Sequence, residues 1–493
     1  SRLYGKISSV DDNGNILVTG TSNGDDFPTT NGTTSFPDGS RSDALAFKVS
    51  PNGALLFSTT IAGNHNDNAS ELIEDDNGNF YVFGNTRSTS IVFSDGSSPV
   101  NSGVAFVYKY DSNGNLITSK NLGADIFKFN VFGNSIKLTD NGFAGSYYID
   151  SANLVATDGT SLLPDANSGF PRGAYFMLMD FDLNTTFSTI QPSLFEESGH
   201  GIIESDNTGV YVYGAAHNER ITTDGSTFTG GYRDGYLIKY DYNGNVIFAK
   251  YLGSLEEDYA MDIIVQNGAI YLQTNGDGGG FPIVNGSPYV GEEDIYITKL
   301  DAATGKILYS TAYGSSDYDE ASKLVVDNAG SVYFLMGSYS GLDALTTDES
   351  SGKTIVVKLN PDGTVALANA TNFSFKSKFY FDSLRPEVIG NNFRIAFQSY
   401  DGSQYKDDIT VLNLNLCPTY NVDNSHIISS DQTACANGIL SQLTGPVFTI
   451  EGSTLPKIQF RSDQAPANQQ DIALDYQWQA STTATGPWVD ILG

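Results

Sequence analysis

Cysteine, methionine, tryptophan and histidine are scarce in this chain of 493 residues. It has 2 Cys, 4 Met, 2 Trp and 4 His. The histidines are far apart in the sequence, and none lies at a zinc-ligand spacing from another histidine or from a cysteine. The sequence therefore predicts no zinc centre.

Positive charge is also in short supply. The chain has 26 Lys and Arg against 57 Asp and Glu, which is a formal net charge of −31. This charge repels nucleic-acid phosphates and anionic membrane surfaces, so we expect no nucleic-acid partner; cations, neutral glycans and basic proteins remain compatible with it. No apolar run reaches the roughly 18 residues that a bilayer span requires, and the sequence predicts no transmembrane segment.

The two cysteines, Cys417 and Cys435, both lie in the last fifth of the chain. A disulfide between them would close a short loop and stabilise the fold by about 3 kcal/mol in the loop-entropy model. Such a bridge requires an oxidising compartment. We expect this disulfide, and two separate thiols are the alternative.

A repeat dominates the first four-fifths of the chain. Seven copies of one strand-and-turn pattern follow each other about 60 residues apart, and a strand repeat of this period indicates an array of small sheets. The copies align on a basic or polar residue before a turn: Lys48, Lys109, Asp180, Lys239, Lys299, Lys358 and Asn413.

Each copy contains four strand patterns, which we name a, b, c and d. In one copy they are residues 321–327, 331–337, 353–359 and 364–370. Tight turns rich in Asp, Asn and Gly join a to b and c to d, as in two-stranded hairpins. Four antiparallel strands per unit form a propeller blade. The sequence therefore predicts an all-β fold that begins with a seven-bladed β-propeller.

The two ends of each predicted sheet differ. Because neighbouring strands are antiparallel, the a–b and c–d turns share one end, and the b–c and d–a links share the other. The b–c links are long, for example at 20–43, 84–103, 216–234 and 275–294. Long loops on a rigid scaffold commonly carry binding function, so we expect a ligand to bind at the end that carries the links.

The first residues offer a way to close the ring. Only six of the seven copies have a clear d strand. Residues 2–5 resemble the end of a d strand such as 311–314. We therefore expect residues 1–5 to supply the missing outer strand of the last blade.

Three aspartates suggest a calcium site. Asp67, Asp258 and Asp319 each lie two residues before the small residue that starts a strand a, so a closed ring would bring them to one axial mouth. Carboxylate oxygens suit Ca²⁺, although no DxDxDG loop is present. Calcium is the one cofactor that the sequence suggests, and solvated acidic loops are the alternative.

Four aromatic residues in or near the links are candidates for ligand contact. Tyr259, Tyr289, Tyr318 and Phe281 could stack on sugar rings. Aromatic side chains also fill the gaps between packed sheets, and this packing role is the alternative for each of them.

The first copy resembles a known repeat. DDFPTTNG at 25–32, with DALAFKVSPNGALLFST at 43–59, resembles the bacterial β-propeller repeat abbreviated SBBP. The resemblance extends over residues 1–416. It implies a secreted seven-bladed propeller and no particular chemistry.

The end of the chain resembles a second family. After a linker at 417–427, the segments 428–445 and 475–493 are similar to the Ig-like repeats of very large Bacteroidota surface proteins. This resemblance implies an Ig-like β-sandwich at 428–493, incomplete at its C-terminus, within a longer multidomain chain. It further implies an outer-membrane-associated adhesin exported by type 9 secretion, as gliding-motility adhesins are.

These observations predict a cell-surface adhesin that is not an enzyme. It would bind a glycan, a surface or a protein partner through the end of the propeller that carries the links. One alternative is a propeller enzyme, a lyase or glycosidase, that acts on polysaccharide. Another is a structural cap that docks onto an outer-membrane partner of the secretion or motility machinery.

Overall fold

The fold is built from β-strands, in a computed structural model that describes most of the first four-fifths of the chain. The described residues are 3–11, 13–22, 27–33, 42–99, 104–124, 136–149, 155–161, 173–192, 202–217, 220–289, 291–314, 316, 318–338, 353–374, 387–389, 392–399, 408–415, 478–480 and 489–491. Within these ranges all regular secondary structure is β-strand, which confirms the predicted all-β fold.

The chain divides into two compact units, Ser1–Glu320 and Ala321–Gly493. In its described part, the first unit contains five four-stranded sheets. Sheet 1 is β1 (Leu3–Val10), β2 (Ile16–Ser22), β3 (Asp43–Val49) and β4 (Leu55–Ile61), and sheet 2 is β5 (Asp67–Glu74), β6 (Phe80–Thr86), β7 (Val104–Tyr110) and β8 (Leu116–Ala124). Sheet 3 is β9 (Ile136–Thr139), β10 (Gly142–Ile149), β11 (Gly173–Met179) and β12 (Thr185–Pro192). Sheet 4 is β13 (Ile202–Asp206), β14 (Gly209–Ala216), β15 (Asp234–Tyr240) and β16 (Val246–Leu252), and sheet 5 is β17 (Asp258–Gln266), β18 (Ala269–Asp277), β19 (Glu293–Asp301) and β20 (Ile307–Tyr313).

The remaining described strands form two further sheets and one pair. Sheet 6 is β21 (Asp319–Ala321), which crosses the division between the units, with β22 (Val325–Val326), β23 (Val332–Ser338), β24 (Lys353–Leu359) and β25 (Val365–Ser374). Sheet 7 is β26 (Glu387–Ile389), β27 (Asn392–Ser399) and β28 (Asp408–Asn415), and β29 (Trp478–Ala480) pairs with β30 (Val489–Ile491). The count of seven blades and the Ig-like domain stay predictions. The predicted boundary at 416 and both cysteines, Cys417 and Cys435, lie outside the described residues.

Aspartate turns close the hairpins as predicted. In sheet 2, the Asp75 Oδ1 accepts hydrogen bonds from the backbone N–H groups of Asn77 and Asn79, both at 2.9 Å. Gly78 has φ +76°, a conformation that costs glycine little and other residues more. These bonds satisfy the backbone of the turn and fix the register of the two strands that it joins.

The strand register places both kinds of link at one end of each sheet. In sheet 5, Asp258 at the start of β17 pairs with Gly276 near the end of β18, and Gly276 pairs with Asp294 at the start of β19. The d–a link before Asp258 and the b–c link before Asp294 therefore lie side by side. This arrangement agrees with the two-ended sheet expected from antiparallel pairing.

Adjacent sheets pack face to face and share their cores. In β6, Tyr81 belongs to a cluster with Phe143 of sheet 3, whereas Phe80 belongs to a cluster with Phe57 of sheet 1. The Phe57 and Phe80 rings stack with centroids 4.2 Å apart. Because successive side chains point to opposite faces, β6 is covered on both sides. Each such aromatic side chain contributes about 1.5–3 kcal/mol to the free energy of unfolding.

A cross-strand pair explains the repeated lysine. Tyr81 of strand b faces Lys109 of strand c, and the Lys109 Nζ lies 5.3 Å from the centroid of the Tyr81 ring. The Tyr81 hydroxyl donates a 3.0 Å hydrogen bond to Asp75 of the turn. The same trio recurs in sheets 4 and 6 as Asp206, Tyr211 and Lys239 and as Asp327, Tyr333 and Lys358.

The prediction that residues 1–5 form the outer strand of the last blade is wrong for residues 3–5, the part of this segment that the structure describes. Leu3 and Gly5 belong to β1, which pairs along the length of β2, for example Leu3 with Ser22 and Gly5 with Gly20. The run from Leu3 to Val10 is long enough to form strand a of sheet 1. Because these residues already form strand a of sheet 1, they do not form an outer strand in another sheet.

Candidate ligand-binding surface

Exposed apolar side chains of the links concentrate around sheets 4 and 5. There Ile221 is 87%, Leu255 61%, Tyr318 47% and Tyr232 46% exposed. The described links of sheets 2 and 3 expose one large apolar side chain each. An exposed apolar group rimmed by polar residues is typical of an interaction site.

We call this region the link surface. It consists of His217, residues 220–221, 228–233, 254–259 and 277–280, and Tyr289, Glu292, Glu293 and Tyr318.

Backbone contacts hold the parts of the link surface together. The Leu255 N–H donates a 3.1 Å hydrogen bond to the Gly279 carbonyl, and the Asp277 N–H donates a 2.9 Å bond to the Glu257 carbonyl. Gly231 has φ +65°, and a Cβ at this position would overlap the Glu256 carbonyl oxygen. The links therefore pack too closely for a side chain at residue 231, and the surface is formed before any ligand arrives.

A buried arginine lies between two tyrosines at the centre of the surface. The Arg233 guanidinium carbon is 4.5 Å from the Tyr259 ring centroid and 5.0 Å from that of Tyr232. The Tyr259 hydroxyl donates a 2.6 Å hydrogen bond to Glu257 Oε2. Burial, and then this bond, raise the pKa of Tyr259 to about 12. His217 extends the row, since its ring lies nearly perpendicular to that of Tyr232, with the ring centroids 4.6 Å apart.

Two further tyrosines of the prediction lie on the same surface. The Tyr289 hydroxyl donates a 2.7 Å hydrogen bond to the Glu292 carbonyl, and the half-buried ring packs against the core of sheet 5. Tyr318 forms a parallel bridge with Glu293. The charge of Glu292, with a hydrogen bond to it, raises the pKa of Tyr318. The structure thus brings Tyr259, Tyr289 and Tyr318 together, and their contact with a ligand stays a prediction.

Phe281 requires a correction. Its side chain is buried and stacks on Tyr296, with the ring centroids 4.1 Å apart and the planes 15° from parallel. The ring fills the core of sheet 5, so it has no free face for a sugar. For this residue the packing alternative describes the structure.

The three predicted calcium ligands do not meet at one mouth. Asp67, Asp258 and Asp319 are all buried. Asp67 accepts hydrogen bonds from Gly63 N–H at 2.8 Å and from Ser88 Oγ at 3.0 Å, so it closes its own d–a link. Among the described side chains, no group of three or more His, Cys, Asp and Glu could hold a metal ion. The shared arrangement inferred from sequence spacing is therefore corrected.

Burial gives these carboxyls unusual protonation. Asp258 accepts hydrogen bonds from the Ser254 backbone N–H at 2.5 Å and from the Ser254 hydroxyl at 2.9 Å. Loss of water around it, together with the charges of Asp234 and Asp277, raises the pKa of Asp258 to about 8. Burial likewise raises the pKa of Asp67 to about 6. At neutral pH the Asp258 carboxyl therefore holds its proton, whereas Asp67 holds its proton only in mildly acidic solution.

Asp277 of the link surface titrates abnormally as well. Its side chain is half-buried. Burial, followed by the charges of Glu257, Glu256 and Glu292, raises the pKa of Asp277. The surface therefore contains several carboxylates and, beside them, the Asp277 carboxyl, which keeps its proton up to a higher pH than an ordinary aspartate does.

The sequence-based prediction missed Arg233, Tyr232 and Ile221. One signal for them is present in the sequence, because GGYRD at 230–234 places an aromatic–cation pair after two glycines in a long link of an acidic chain. Paired glycines allow close backbone approach, and Tyr and Arg are enriched where proteins bind partners.

The sequence comparison finds one family. A family model described as a beta-propeller repeat, abbreviated SBBP, matches residues 9–28. The chain therefore carries a β-propeller repeat in sheet 1. No curated protein matches the chain in sequence.

The solved structures that match the chain are distant. The acylaminoacyl peptidase of Pyrococcus horikoshii is 12% identical with a TM-score of 0.40; the match covers 85% of this chain and 53% of the peptidase, about half its length. A europium-containing methanol dehydrogenase is 9% identical with a TM-score of 0.42, covering 84% of this chain and 79% of that one. An ulvan lyase, a polysaccharide lyase, is 13% identical with a TM-score of 0.36, covering 69% and 78%.

These neighbours contradict the prediction that the chain is not an enzyme. The peptidase and the lyase are enzymes, and so are an apocarotenoid oxygenase and a puromycin hydrolase that match at 9–13% identity. We therefore withdraw that prediction. At these identities and TM-scores the likeness assigns no reaction to this chain.

The described residues contain no helix that is long and apolar enough to cross a membrane.

Proposed function

We propose that the link surface binds a glycan. The observation that carries this proposal is the group of tyrosine rings, in which the exposed Tyr232 and Tyr318 accompany the half-buried Tyr259 and Tyr289. A sugar ring has an apolar C–H face and a rim of hydroxyls. A flat aromatic face covers the first, and nearby polar groups bind the second.

The polar groups of the surface suit a ligand rich in hydroxyls. Glu257 already accepts a hydrogen bond from Tyr259, and each carboxylate oxygen has a second lone pair for a ligand hydroxyl. Glu256 and Glu292 lie close enough to influence the titration of Asp277. The surface is therefore dense in hydrogen-bond acceptors, which sugar hydroxyls satisfy.

The rigidity of the surface also supports binding. The links are held by backbone hydrogen bonds such as Leu255 N–H to Gly279 carbonyl, and Arg233 is fixed between two rings. A surface that needs little reordering loses little free energy when it binds.

A glycan array followed by calorimetry tests the proposal. We expect Tyr232→Ala and Tyr318→Ala each to weaken binding about tenfold, which corresponds to about 1.4 kcal/mol. Tyr318→Phe keeps the ring and should bind nearly as the native chain does. Val155→Ala, an exposed apolar change in the link of sheet 3, is the matched control. Unchanged affinity in the double variant Tyr232→Ala/Tyr318→Ala would refute the proposal.

A polysaccharide-acting enzyme is the second candidate, and Asp277 is the observation that favours it. Hydrolysis of a glycosidic bond uses one protonated carboxyl and one carboxylate. Asp277 has a raised pKa beside Glu257 and Glu292. Incubation with polysaccharides should then release new reducing ends, and Asp277→Asn should abolish this release while binding persists. Binding without any cleavage in the native chain would eliminate this candidate.

We also propose a wider setting. The chain would be a seven-bladed propeller over residues 1–416, carried on Ig-like domains, in a secreted Bacteroidota adhesin exported by the type 9 system. The sequence resemblances at 25–59, 428–445 and 475–493 support this setting. Surface labelling of intact cells with an antibody to the propeller tests it. Co-purification with an outer-membrane protein in place of glycan binding would favour the structural cap.

A further inference from the structure

Arg220, in the b–c link of sheet 4, is a half-buried cation that pairs with no anion among the residues that the structure describes. Its Nε and Nη2 are buried and make no hydrogen bond with any described residue. Burial lowers the pKa of Arg220, and the neighbouring groups that act on it are the phenols of Tyr251 and Tyr236. A charged group that has lost water and gained no acceptor is among the costliest arrangements in a protein.

Two buried lysines of sheet 4 are satisfied within the protein. The Lys239 Nζ donates a 2.9 Å hydrogen bond to the Ala302 carbonyl. The Lys250 Nζ donates a 2.8 Å bond to the Gly305 carbonyl and lies 3.1 Å from Asp224. Because the chain has more than twice as many acidic as basic residues, internal partners are abundant. Unlike these two lysines, Arg220 has two buried guanidinium nitrogens without an acceptor among the described residues, and an acceptor from outside would satisfy them.

Aromatic residues support the position of Arg220. The Tyr236 hydroxyl donates a 2.8 Å hydrogen bond to the carbonyl of Ile221, the next residue in the chain. The Tyr236 and Tyr251 rings pack at 5.1 Å. Arg220 thus lies near a pair of packed tyrosine rings, three residues from His217, whose ring contacts Tyr232.

We propose that Arg220 binds a carboxylate or sulfate group of an anionic glycan at the sheet 4 end of the link surface. This inference rests on the proposed glycan binding and adds the charge class of the ligand. The guanidinium offers two parallel N–H donors that match either group. Its Nε and Nη2 are covered when no ligand is bound, so the side chain turns outward on binding. This movement breaks no hydrogen bond from Nε or Nη2 to a described residue.

The negative charge of the whole chain does not prevent this contact. Repulsion from distant carboxylates is screened beyond about 8 Å at physiological ionic strength. Nearby, Lys250 balances Asp224, and burial keeps the pKa of Asp234 raised, which favours its neutral form. The negative charge of these two aspartates is therefore partly neutralised.

The test compares matched oligosaccharides by calorimetry with the folded chain. The probes are a uronate oligosaccharide and its carboxyl-reduced neutral form, and a sulfated oligosaccharide and its desulfated form. We expect one anionic member to bind at least tenfold tighter than its neutral match. Arg220→Gln should abolish this preference by lowering the affinity for the anionic probe to that for its neutral match, and Arg220→Lys should retain part of it. Arg87→Gln removes an exposed cation from a link of sheet 2 and should change nothing.

Every result of this test either supports or overturns the inference. An anionic preference that survives in Arg220→Gln, or equal binding of charged and neutral probes by the native chain, overturns this inference alone, because neutral binding still supports glycan recognition. Absence of binding to every probe overturns both proposals. Thermal melting adds a readout without ligand: Arg220→Gln should melt at the same or a higher temperature than the native chain, since it removes a cation that has no acceptor for Nε and Nη2 among the described residues.

Discussion

The ammonium of Lys239 in sheet 4 donates a hydrogen bond to the carbonyl of Ala302, in the turn of sheet 5, across 2.9 Å. Lys109 makes the equivalent bond from sheet 2 to Phe181 of sheet 3, also at 2.9 Å. The lysine that marks the repeat in the sequence therefore joins consecutive sheets. It connects the buried end of strand c to the c–d turn of the next sheet.

Replacement of Lys239 should destabilise the first unit. The side chain is buried and also donates a 2.7 Å hydrogen bond to Thr208 Oγ1. Hydrogen bonds from a charged donor contribute about 1.5–3 kcal/mol, so we expect Lys239→Met to lower the free energy of unfolding by about 3 kcal/mol. Lys137→Met, which removes a half-exposed partner of Glu204, should cost less than about 1 kcal/mol. Equal losses in chemical denaturation would contradict this role for Lys239.

The turn aspartate and the strand b tyrosine form a second testable unit. Asp75 binds the backbone of its turn and the Tyr81 hydroxyl. Asp111 makes the same backbone contacts in an exposed c–d turn, with hydrogen bonds from Asn113 and Asn115. Asp75→Ala should therefore destabilise the chain by about 1–2 kcal/mol more than Asp111→Ala. Equal shifts in the denaturation midpoint would show that the tyrosine bond adds nothing.

The hairpins and the repeated lysines were predictable because both depend on local chemistry. An Asp–x–Asn–Gly turn such as the one at Asp75 closes on itself through bonds that span four residues. Strand order and the end that carries the links then follow from antiparallel pairing. The bond from Lys239 to Ala302 was not predictable, since it joins residues 63 positions apart.

The candidate site was predictable only in part. The spacing of Asp67, Asp258 and Asp319 is regular in sequence, but Asp67 and Asp258 are hydrogen-bonded within their own links, and all three side chains are buried. Phe281 and Tyr318 are both aromatic link residues, and the packing of sheet 5 alone decides that one is buried and the other exposed. These differences arise from contacts between links, which a pattern within one repeat does not contain.

Stability should fall as pH rises from about 5 to 8.5. The folded chain holds a proton on Asp258 up to a pKa of about 8, against 3.8 for an ordinary aspartate, so between these values the folded state binds more protons than the unfolded state. The free energy of unfolding then decreases with pH across this window. Asp67, with a pKa of about 6, adds to the lower half of the window.

The variant Asp258→Asn isolates the contribution of Asp258 to the pH dependence of stability. The amide cannot ionise, so the melting temperature of this variant should vary less between pH 5 and 8.5 than that of the native chain. Carboxyls such as Asp75 and Asp206 act in the opposite sense: burial favours a higher pKa, but hydrogen bonds to each lower it. Their stabilisation is lost only below about pH 4. A native melting temperature that rises from pH 5 to 8.5 would contradict the assignment.

Two glycines in the b–c link of sheet 4 allow the cost of backbone strain to be separated from the cost of steric overlap. Gly225 and Gly231 have φ +78° and +65°. A Cβ on Gly225 would meet nothing within 4 Å, whereas one on Gly231 would overlap the Glu256 carbonyl oxygen. Gly225→Ala should therefore cost only the strain of a left-handed alanine, about 1–2 kcal/mol.

Gly231→Ala should cost the same strain and also force the link away from residues 254–257. Because Tyr232, Arg233 and Tyr259 depend on this contact for their positions, we expect glycan affinity to fall in Gly231→Ala and to stay near the native value in Gly225→Ala. Calorimetry at a temperature where both variants are folded provides the measurement. Equal affinities in the two variants would mean that close packing of the links is not what shapes the binding surface.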